Sequence, residues 1–189
     1  MASDPSQRLT IQDYLAFERQ SETKNDYLDG EIFAMTGASR VHNLITGNIF
    51  GEIWSQLKGR PCEVYSESMR VRTPGDLFTY PDVIVVCSEP EFIDGEFDTL
   101  LNPTMIVEVL STSTEGYDRG VKSSRYRSIP SLSEYVLVGQ DRIHIEHFLR
   151  QSADRWLLEE FSDLGLTLEL SSIGCRLPLA EVYDRVFSA

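Results

Sequence analysis

The sequence predicts a mixed α/β or α+β fold in a single domain spanning residues 1–189. The 189 residues, 41% hydrophobic and 25% charged, are typical of one globular domain. Helical and extended periodicities follow one another in the order helix, strands, helix, strands, helix. Two short β-branched runs, VIVVC and MIVEVL, suit central strands of a sheet that is covered on both faces.

The N-terminal third predicts a short helix, a hairpin and a long helix. Thr10 is a suitable N-cap for the amphipathic segment IQDYLAFE. Asp29-Gly30 tolerates the positive φ of a tight turn, so two short strands should flank this dipeptide. From about residue 39 to residue 58 the apolar residues recur every three or four positions, which predicts a long amphipathic helix.

The remaining two thirds predict strands around one further internal helix. CEVYSESMRVRT is expected to form a strand that continues, after a Pro74-Gly75 turn, toward Tyr80-Pro81-Asp82. After the two β-branched runs, RGVKSSRYRSI is expected to be a helix ended by Pro130. Three strands, EYVLV, RIHIEHFL and WLLEEF, and a closing helix, PLAEVYDRVF, complete the prediction.

Composition narrows the classes of protein to consider. The longest apolar run, Val83 to Cys87, is far shorter than the roughly 18 residues of a membrane helix. The first residues, MASDPSQRLT, lack the features of a secretory signal, so we expect a cytoplasmic protein that spans no membrane. A net charge of −13 argues against indiscriminate binding to nucleic acid but permits a local basic groove.

The spacing of the cysteines and the absence of common catalytic motifs argue against several kinds of site. Cys62, Cys87 and Cys175 form no CxxC pair, which favours reduced core thiols over disulfides or a zinc site. The motifs GxSxG, HExxH and GxxxxGK[ST] are absent from the sequence. A nucleophilic serine, a zincin site and a phosphate loop are therefore disfavoured.

The three histidines also give no clear metal set. His144 and His147 are expected to lie on one strand and to point to opposite faces, because strand side chains alternate. His42 lies on the same face of the predicted long helix as Ile45, Ile49 and Ile53, so we expect a hydrogen-bonded core histidine near the start of this helix.

Two acids on the apolar strands are the main candidates for chemistry. Asp82 directly precedes VIVV and Glu108 lies inside MIVEVL, where an unpaired charge is costly to bury. If the strands are neighbours, the carboxylates converge, and their repulsion would raise one pKa or favour capture of Mg²⁺ or Mn²⁺. The alternative is structural: Asp82 caps a turn and Glu108 pairs with an arginine or a lysine.

The internal helix supplies the cationic candidates. Arg119, Lys122 and Arg125 are three residues apart and should share a helix face, with Tyr126 one turn beyond Lys122. This face could meet a phosphate or activate a water. The alternative is an exposed i,i+4 ion pair between Asp118 and Lys122.

Five segments together resemble the Uma2 family, which is placed in the PD-(D/E)XK superfamily. They are DYLDGEIFAM, HNLITGNIF, YPDVIVVC, IVEVLSTSTEGYDRGVKSSRYRSIPSLSEYVLV and LPLAEVYDRV. The resemblance runs from about Thr10 to Val186. It implies a restriction-endonuclease-like core, with a mixed central β-sheet flanked by α-helices.

The resemblance implies roles for five positions. Pro81-Asp82 matches the PD element and Glu108 the second acid, and the Val109 carbonyl is a possible further metal ligand. The usual lysine position is occupied by Leu110, so Lys122 would act as a migrated lysine. Glu31 matches the family's N-terminal acidic position, where it would complete the metal shell or be a solvated hairpin residue.

The predicted activity is Mg²⁺- or Mn²⁺-dependent endonucleolytic cleavage of DNA. Asp82 and Glu108 would hold the ion, Lys122 would orient water or stabilise charge, and Arg119, Arg125 and Tyr126 would contact DNA. The main rival is a non-catalytic binding or scaffold protein, which the net charge of −13 favours. A hydrolase of small phosphate esters is a third possibility. By analogy with restriction-type folds, a homodimer is also expected.

Overall fold

The described part of the chain contains six helical segments, one of which is the predicted long helix, and thirteen strands. The computed structural model describes residues 8–35, 37–111 and 115–187. The helices are α1 (Ile11–Glu18), α2 (Arg40–Leu57), α3 (Glu115–Tyr117), a π-helix (Asp118–Lys122), α4 (Ser123–Arg127) and α5 (Leu179–Val182). The strands are β1 (Asn25–Leu28), β2 (Glu31–Ala34), β3 (Glu63–Ser66), β4 (Arg70–Arg72), β5 (Leu77–Thr79), β6 (Val83–Val86), β7 (Thr99–Leu100), β8 (Met105–Leu110), β9 (Glu134–Gly139), β10 (Ile145–Ser152), β11 (Arg155–Phe161), β12 (Thr167–Leu170) and β13 (Cys175–Pro178).

The strands form two mixed sheets and a separate hairpin. The larger sheet has the order β11-β10-β9-β8-β6-β3, in which only β8 and β9 are parallel. The smaller sheet has the order β2-β1-β5-β4-β7, and β12 pairs with β13. This architecture, mixed sheets flanked by helices, confirms the predicted fold class.

The two β-branched runs are central strands, as predicted. All residues of β6 and β8 are buried. Residues at odd positions, such as Val85 and Val107, pack with Ile49 and Ile53 of α2. Residues at even positions pack on the opposite face, where Ile106 lies in the same cluster as Tyr126 of α4. Alternation along each strand therefore buries both faces of the sheet.

Local signals at the N-terminus are also confirmed. The Thr10 side chain accepts a hydrogen bond from the Asp13 N–H, and Asp13 reciprocates, which forms a capping box at the start of α1. Asp29 and Gly30 adopt φ of 50° and 93° and join β1 to β2 in a tight hairpin.

Within the described ranges, no helix has the length and hydropathy needed to cross a bilayer.

The internal and closing helices differ from the prediction. The segment after Glu115 is helical, but Asp118–Lys122 forms a π-helix and α4 ends at Arg127, before Pro130. A π-turn bonds residue i to residue i+5, so positions three apart no longer share a face. The closing helix is also shorter than predicted, since α5 covers only Leu179–Val182.

The expectation of reduced cysteines is wrong for two of the three. Cys62 and Cys87 form a disulfide, whereas Cys175 is a buried free thiol as expected. The pairing of Glu63 with Val86 in antiparallel β3 and β6 sets the two cysteines opposite one another. Their separation of 25 residues in sequence gives no sign of this proximity.

Cys62→Ser is expected to lower the free energy of unfolding by about 3.5 kcal/mol, because the bond closes a loop in the unfolded chain. Urea unfolding of the oxidised wild type and the variant measures the difference. A reductant should lower the stability of the wild type and leave Cys62→Ser unchanged. Equal stability of wild type with and without reductant would contradict the bond.

Candidate active site

The two strand acids lie next to one another where β6 begins, and β6 and β8 are two inner strands of the larger sheet. The antiparallel register pairs Val83 with Val107, so Asp82 lies directly opposite Glu108. The Val109 N–H donates to Asp82 Oδ2 at 2.7 Å, which fixes the carboxylate against the neighbouring strand. Both acids are buried. The structure thus brings Asp82, Glu108 and Val109 together, as the sequence predicted.

Hydrogen bonds of Tyr80, two residues before Asp82, also fix the start of β6. The Tyr80 hydroxyl donates to Glu18 Oε1 at 2.9 Å, and the buried Arg70 guanidinium donates to the Tyr80 hydroxyl at 3.2 Å. Tyr80 is followed by Pro81, whose fixed φ restricts how the chain enters β6. These contacts place Asp82 at a defined point on the strand end.

Glu108 accepts two hydrogen bonds from the helical segment that covers the sheet. Lys122 Nζ lies 3.1 Å and the Tyr126 hydroxyl 2.7 Å from Glu108 Oε1. Lys122 Nζ also lies 3.4 Å from Asp118 Oδ1. All four side chains are buried, so the ion pair of Asp118 and Lys122 is not the exposed pair considered from the sequence.

Burial gives Glu108 and Lys122 unusual proton affinities. Burial raises the pKa of Glu108 to about 8, because the nearby Lys122 ammonium does not fully offset burial and the repulsion of Asp82 and Asp118. Burial alone would lower the pKa of Lys122, but the charges of Glu108, Asp26 and Asp118 raise it. Lys122 is therefore a protonated donor at neutral pH.

Asp26 of β1 is an acid of the site that sequence reasoning missed. It is buried, burial raises its pKa, and its charge interacts with Lys122. Asp26 Oδ1 has no hydrogen-bond partner among the described residues. Glu31, for which the sequence left open either this role or that of a solvated hairpin residue, is exposed at the start of β2. The sequence gives no signal comparable to that of Glu108, because Asp26 follows Asn25 in NDYL and does not interrupt an apolar run.

His42 also belongs to the site rather than to the apolar core. The Ser39 side chain accepts the His42 backbone N–H at the start of α2, and His42 Nε2 lies 3.3 Å from Asp82 Oδ1. Its side chain is 14% exposed. Burial lowers the pKa of His42, but the Asp82 carboxylate, together with Glu67 and the Val109 backbone, raises it by more, so the net shift is upward. The expected hydrogen-bonded histidine is present, but its partner is a site acid.

The predicted DNA-contacting set does not form one surface. Tyr126 is fully buried, so its assignment to a DNA-facing surface is wrong. Arg119 forms ion pairs with Glu115 and Glu146, and Arg125 lies 3.6 Å from Asp29. The π-helix separates these side chains and turns Lys122 inward.

A second group of possible ligands lies on β10 and β11. His144, Glu146 and Glu160 each place one ligand atom within 4.8 Å of the others. His147 bonds instead to buried Glu134, which agrees with the predicted opposite orientation of the two histidines. Because the Arg119 guanidinium already neutralises Glu146, this group is a weaker cation site than the one around Glu108.

The donors around Glu108 fit a hard divalent cation. Three buried acids, Asp26, Glu108 and Asp118, interact with one buried ammonium, Lys122, and Asp82 lies opposite Glu108. Carboxylate and carbonyl oxygens are the ligands that Mg²⁺ and Mn²⁺ prefer. The unpartnered Asp26 Oδ1 and the excess of carboxyl groups over cationic groups both fit a bound cation, which would displace the protons that Asp26 and Glu108 hold at their raised pKa values.

The chain matches a known family and is similar to several known proteins. Residues 11–180 match the model of a family described as "Uma2: Putative restriction endonuclease". Among relatives from Synechocystis sp. (strain ATCC 27184 / PCC 6803 / Kazusa), uncharacterized protein sll1609 is 36% identical over 164 residues, covering 86% of this chain and 93% of the relative. Uncharacterized protein slr1290 is 32% identical over 182 residues, covering 96% and 94%. A crystal structure of a "putative nuclease belonging to DUF820" from Anabaena variabilis ATCC 29413 has a TM-score of 0.77 and 18% identity, covering 95% of this chain and 99% of that chain. At this identity, the structural likeness shows the fold alone.

Proposed function

Because the chain belongs to the Uma2 family of restriction endonuclease-like proteins, we propose that it is a divalent-metal-dependent endonuclease that hydrolyses phosphodiester bonds in DNA. The observation that carries the proposal is the buried pair Asp82 and Glu108, set opposite one another with Lys122 on Glu108. A buried cluster with more carboxyl groups than cationic groups holds either protons, as the raised pKa of Glu108 indicates, or a divalent cation such as Mg²⁺ or Mn²⁺.

Asp82, Glu108 and the Val109 carbonyl are the residues that would hold the ion. When bound, the ion would neutralise the phosphate and lower the pKa of a coordinated water. Asp82 keeps one oxygen on the Val109 N–H, so its other oxygen, now facing His42, is the one directed toward a ligand. Asp26 takes the place that the sequence assigned to Glu31, next to Lys122.

Lys122 acts as a charge donor in this proposal. The sequence left two roles open for it, orienting water or stabilising the developing charge. Its raised pKa keeps Nζ protonated at neutral pH, so in either role Lys122 would act as a hydrogen-bond donor. Lys122 Nζ, held by Glu108 and Asp118, would therefore donate to the phosphate oxygens as their charge increases.

Nicking of supercoiled plasmid in Mg²⁺ and in Mn²⁺ tests the proposal. We expect the wild-type protein to nick and Glu108→Ala, purified in parallel, to be inactive, because the variant lacks one ligand. A chelator should abolish the wild-type activity. Equal nicking by both proteins would indicate a contaminant. No nicking in either metal, with no change in unfolding temperature on adding Mn²⁺, would favour a scaffold protein.

A further inference from the structure

Strand β11 is an open edge of the larger sheet. It has seven residues and lies at the end of the strand order, paired only with β10 among the described strands. Leu157 and Leu158, at its middle, are 45% and 48% exposed. An open edge leaves every second backbone N–H and C=O without a strand partner.

The charged residues that protect this edge against pairing lie on either side of its centre. Natural edge strands are commonly short or carry charged residues, proline or a bulge. In β11, Arg155 lies before the leucines and Glu159 and Glu160 lie after them, so the centre is apolar. A strand with an apolar centre and opposite charges at its two ends is complementary to an antiparallel copy of itself.

We propose that β11 is a dimerisation edge, on which the β11 strand of a second copy of this chain pairs antiparallel. A two-fold axis perpendicular to the sheet relates the two strands. Such an axis maps each face of the sheet onto itself, and residues directly opposite one another must lie on the same face. Opposite residues are therefore separated by an even number of positions, so the register is centred on a residue and its mate and not between two residues. The candidate centres are therefore individual residues of β11.

Charge and apolarity select Leu157 as the centre. In this register Arg155 lies opposite Glu159, Trp156 opposite Leu158, and Leu157 opposite its own symmetry mate. The Arg155–Glu159 pair and the Trp156–Leu158 pair each form twice across the axis, and the Leu157 pair forms once on it, which stabilises antiparallel strands. The like charges that this register sets opposite one another, Glu160 and Asp154, lie farther from the axis, with Asp154 in the turn before β11.

The neighbouring registers are worse. A centre at Leu158 sets Leu157 opposite Glu159 and Trp156 opposite Glu160. A centre at Glu159 sets two carboxylates directly opposite one another.

The edge is separate from the candidate active site. Strands β10 and β9 lie between β11 and β8, which puts the edge about 14 Å from the strand that carries Glu108. The proposal therefore does not depend on nuclease activity, and substitutions in β11 leave the site residues in place.

A cysteine pair at the axis tests the register. We expect Leu157→Cys to form an intermolecular disulfide under mild oxidation, because residues opposite their own mates have Cα atoms about 4.5–5.5 Å apart. Leu158→Cys is the matched control, being equally exposed but about 7–8 Å from its mate across the strand pair. Equal cross-linking of both variants, or cross-linking of Leu158→Cys alone, would overturn the register.

Charge exchange tests the interface without a covalent bond. Light scattering after size-exclusion chromatography should give wild type twice the monomer mass of 21.5 kDa. Arg155→Glu and Glu159→Arg should each shift toward monomer, and mixing them should restore the dimer, because both opposite-charge pairs reform. Arg176→Glu, an exposed charge reversal on β13, should leave the dimer unchanged. A monomeric wild type at all concentrations, or a mixture that stays monomeric, would refute the dimerisation edge.

Discussion

Asp82→Asn is expected to lower the rate of plasmid nicking at least about 1000-fold. The substitution removes a negative charge from the pair that would hold the cation, and such an ion contributes several kcal/mol to the transition state of phosphodiester cleavage. Asparagine has the same shape, and its Oδ1 can still accept the Val109 N–H. We therefore expect the fold to survive while the activity is lost.

Two further measurements separate loss of charge from loss of structure. Mn²⁺ should raise the unfolding temperature of wild type and leave that of Asp82→Asn unchanged. The pKa of His42, measured by NMR titration, should fall in the variant, because the Asp82 carboxylate contributes most to raising it above its usual value. Asp76→Asn, an exposed aspartate paired with Arg72, serves as the control and should keep full activity. A variant that nicks at the wild-type rate would remove Asp82 from the metal site.

Local sequence patterns predicted the parts of the site that depend on one strand at a time. Glu108 stands out because it interrupts a β-branched run, and Asp82 because it follows a proline at the start of another. Both patterns report burial, which is a property of the strand itself. That the two strands are neighbours is a short step, since they are the two successive β-branched runs of the sequence.

The missed features depend on contacts between distant segments or on an irregular turn. Asp26 and Glu31 are both acids of one hairpin, and which of them is buried depends on the sheet, in which β1 lies between β2 and β5 whereas β2 is the end strand. The disulfide requires β3 to pair with β6, strands separated by the smaller sheet's β4 and β5 in the chain. The orientation of Lys122 depends on a π-turn, which helical periodicity does not reveal.

Lys122→Met is expected to destabilise the metal-free protein by about 3–5 kcal/mol above about pH 8, where Glu108 is ionised. Lys122 is the buried ammonium that faces Glu108, Asp118 and Asp26, and removing one partner of a buried ion pair leaves the other charge uncompensated. Methionine fills similar volume, so the cost is electrostatic rather than a cavity. Urea unfolding measures the loss, and Lys24→Met, which removes an exposed lysine, should change stability by less than about 1 kcal/mol.

The sign of the pH dependence distinguishes this explanation from a packing defect. The pKa of Lys122 is raised in the folded state, so its contribution is fully present below its unfolded value of 10.5. The pKa of Glu108 is also raised, from 4.5 to about 8, so the folded state binds the extra proton and loses stability as pH rises through that interval. Lys122 lowers the pKa values of Glu108 and Asp26, so these values rise further in Lys122→Met. The loss of stability in the variant should therefore be small near about pH 5 and largest above about pH 8. Glu108→Gln combined with Lys122→Met should remove part of this slope, because glutamine does not ionise. A deficit that stays constant from acid to alkaline pH would show that Lys122 stabilises the fold by packing and not by its charge.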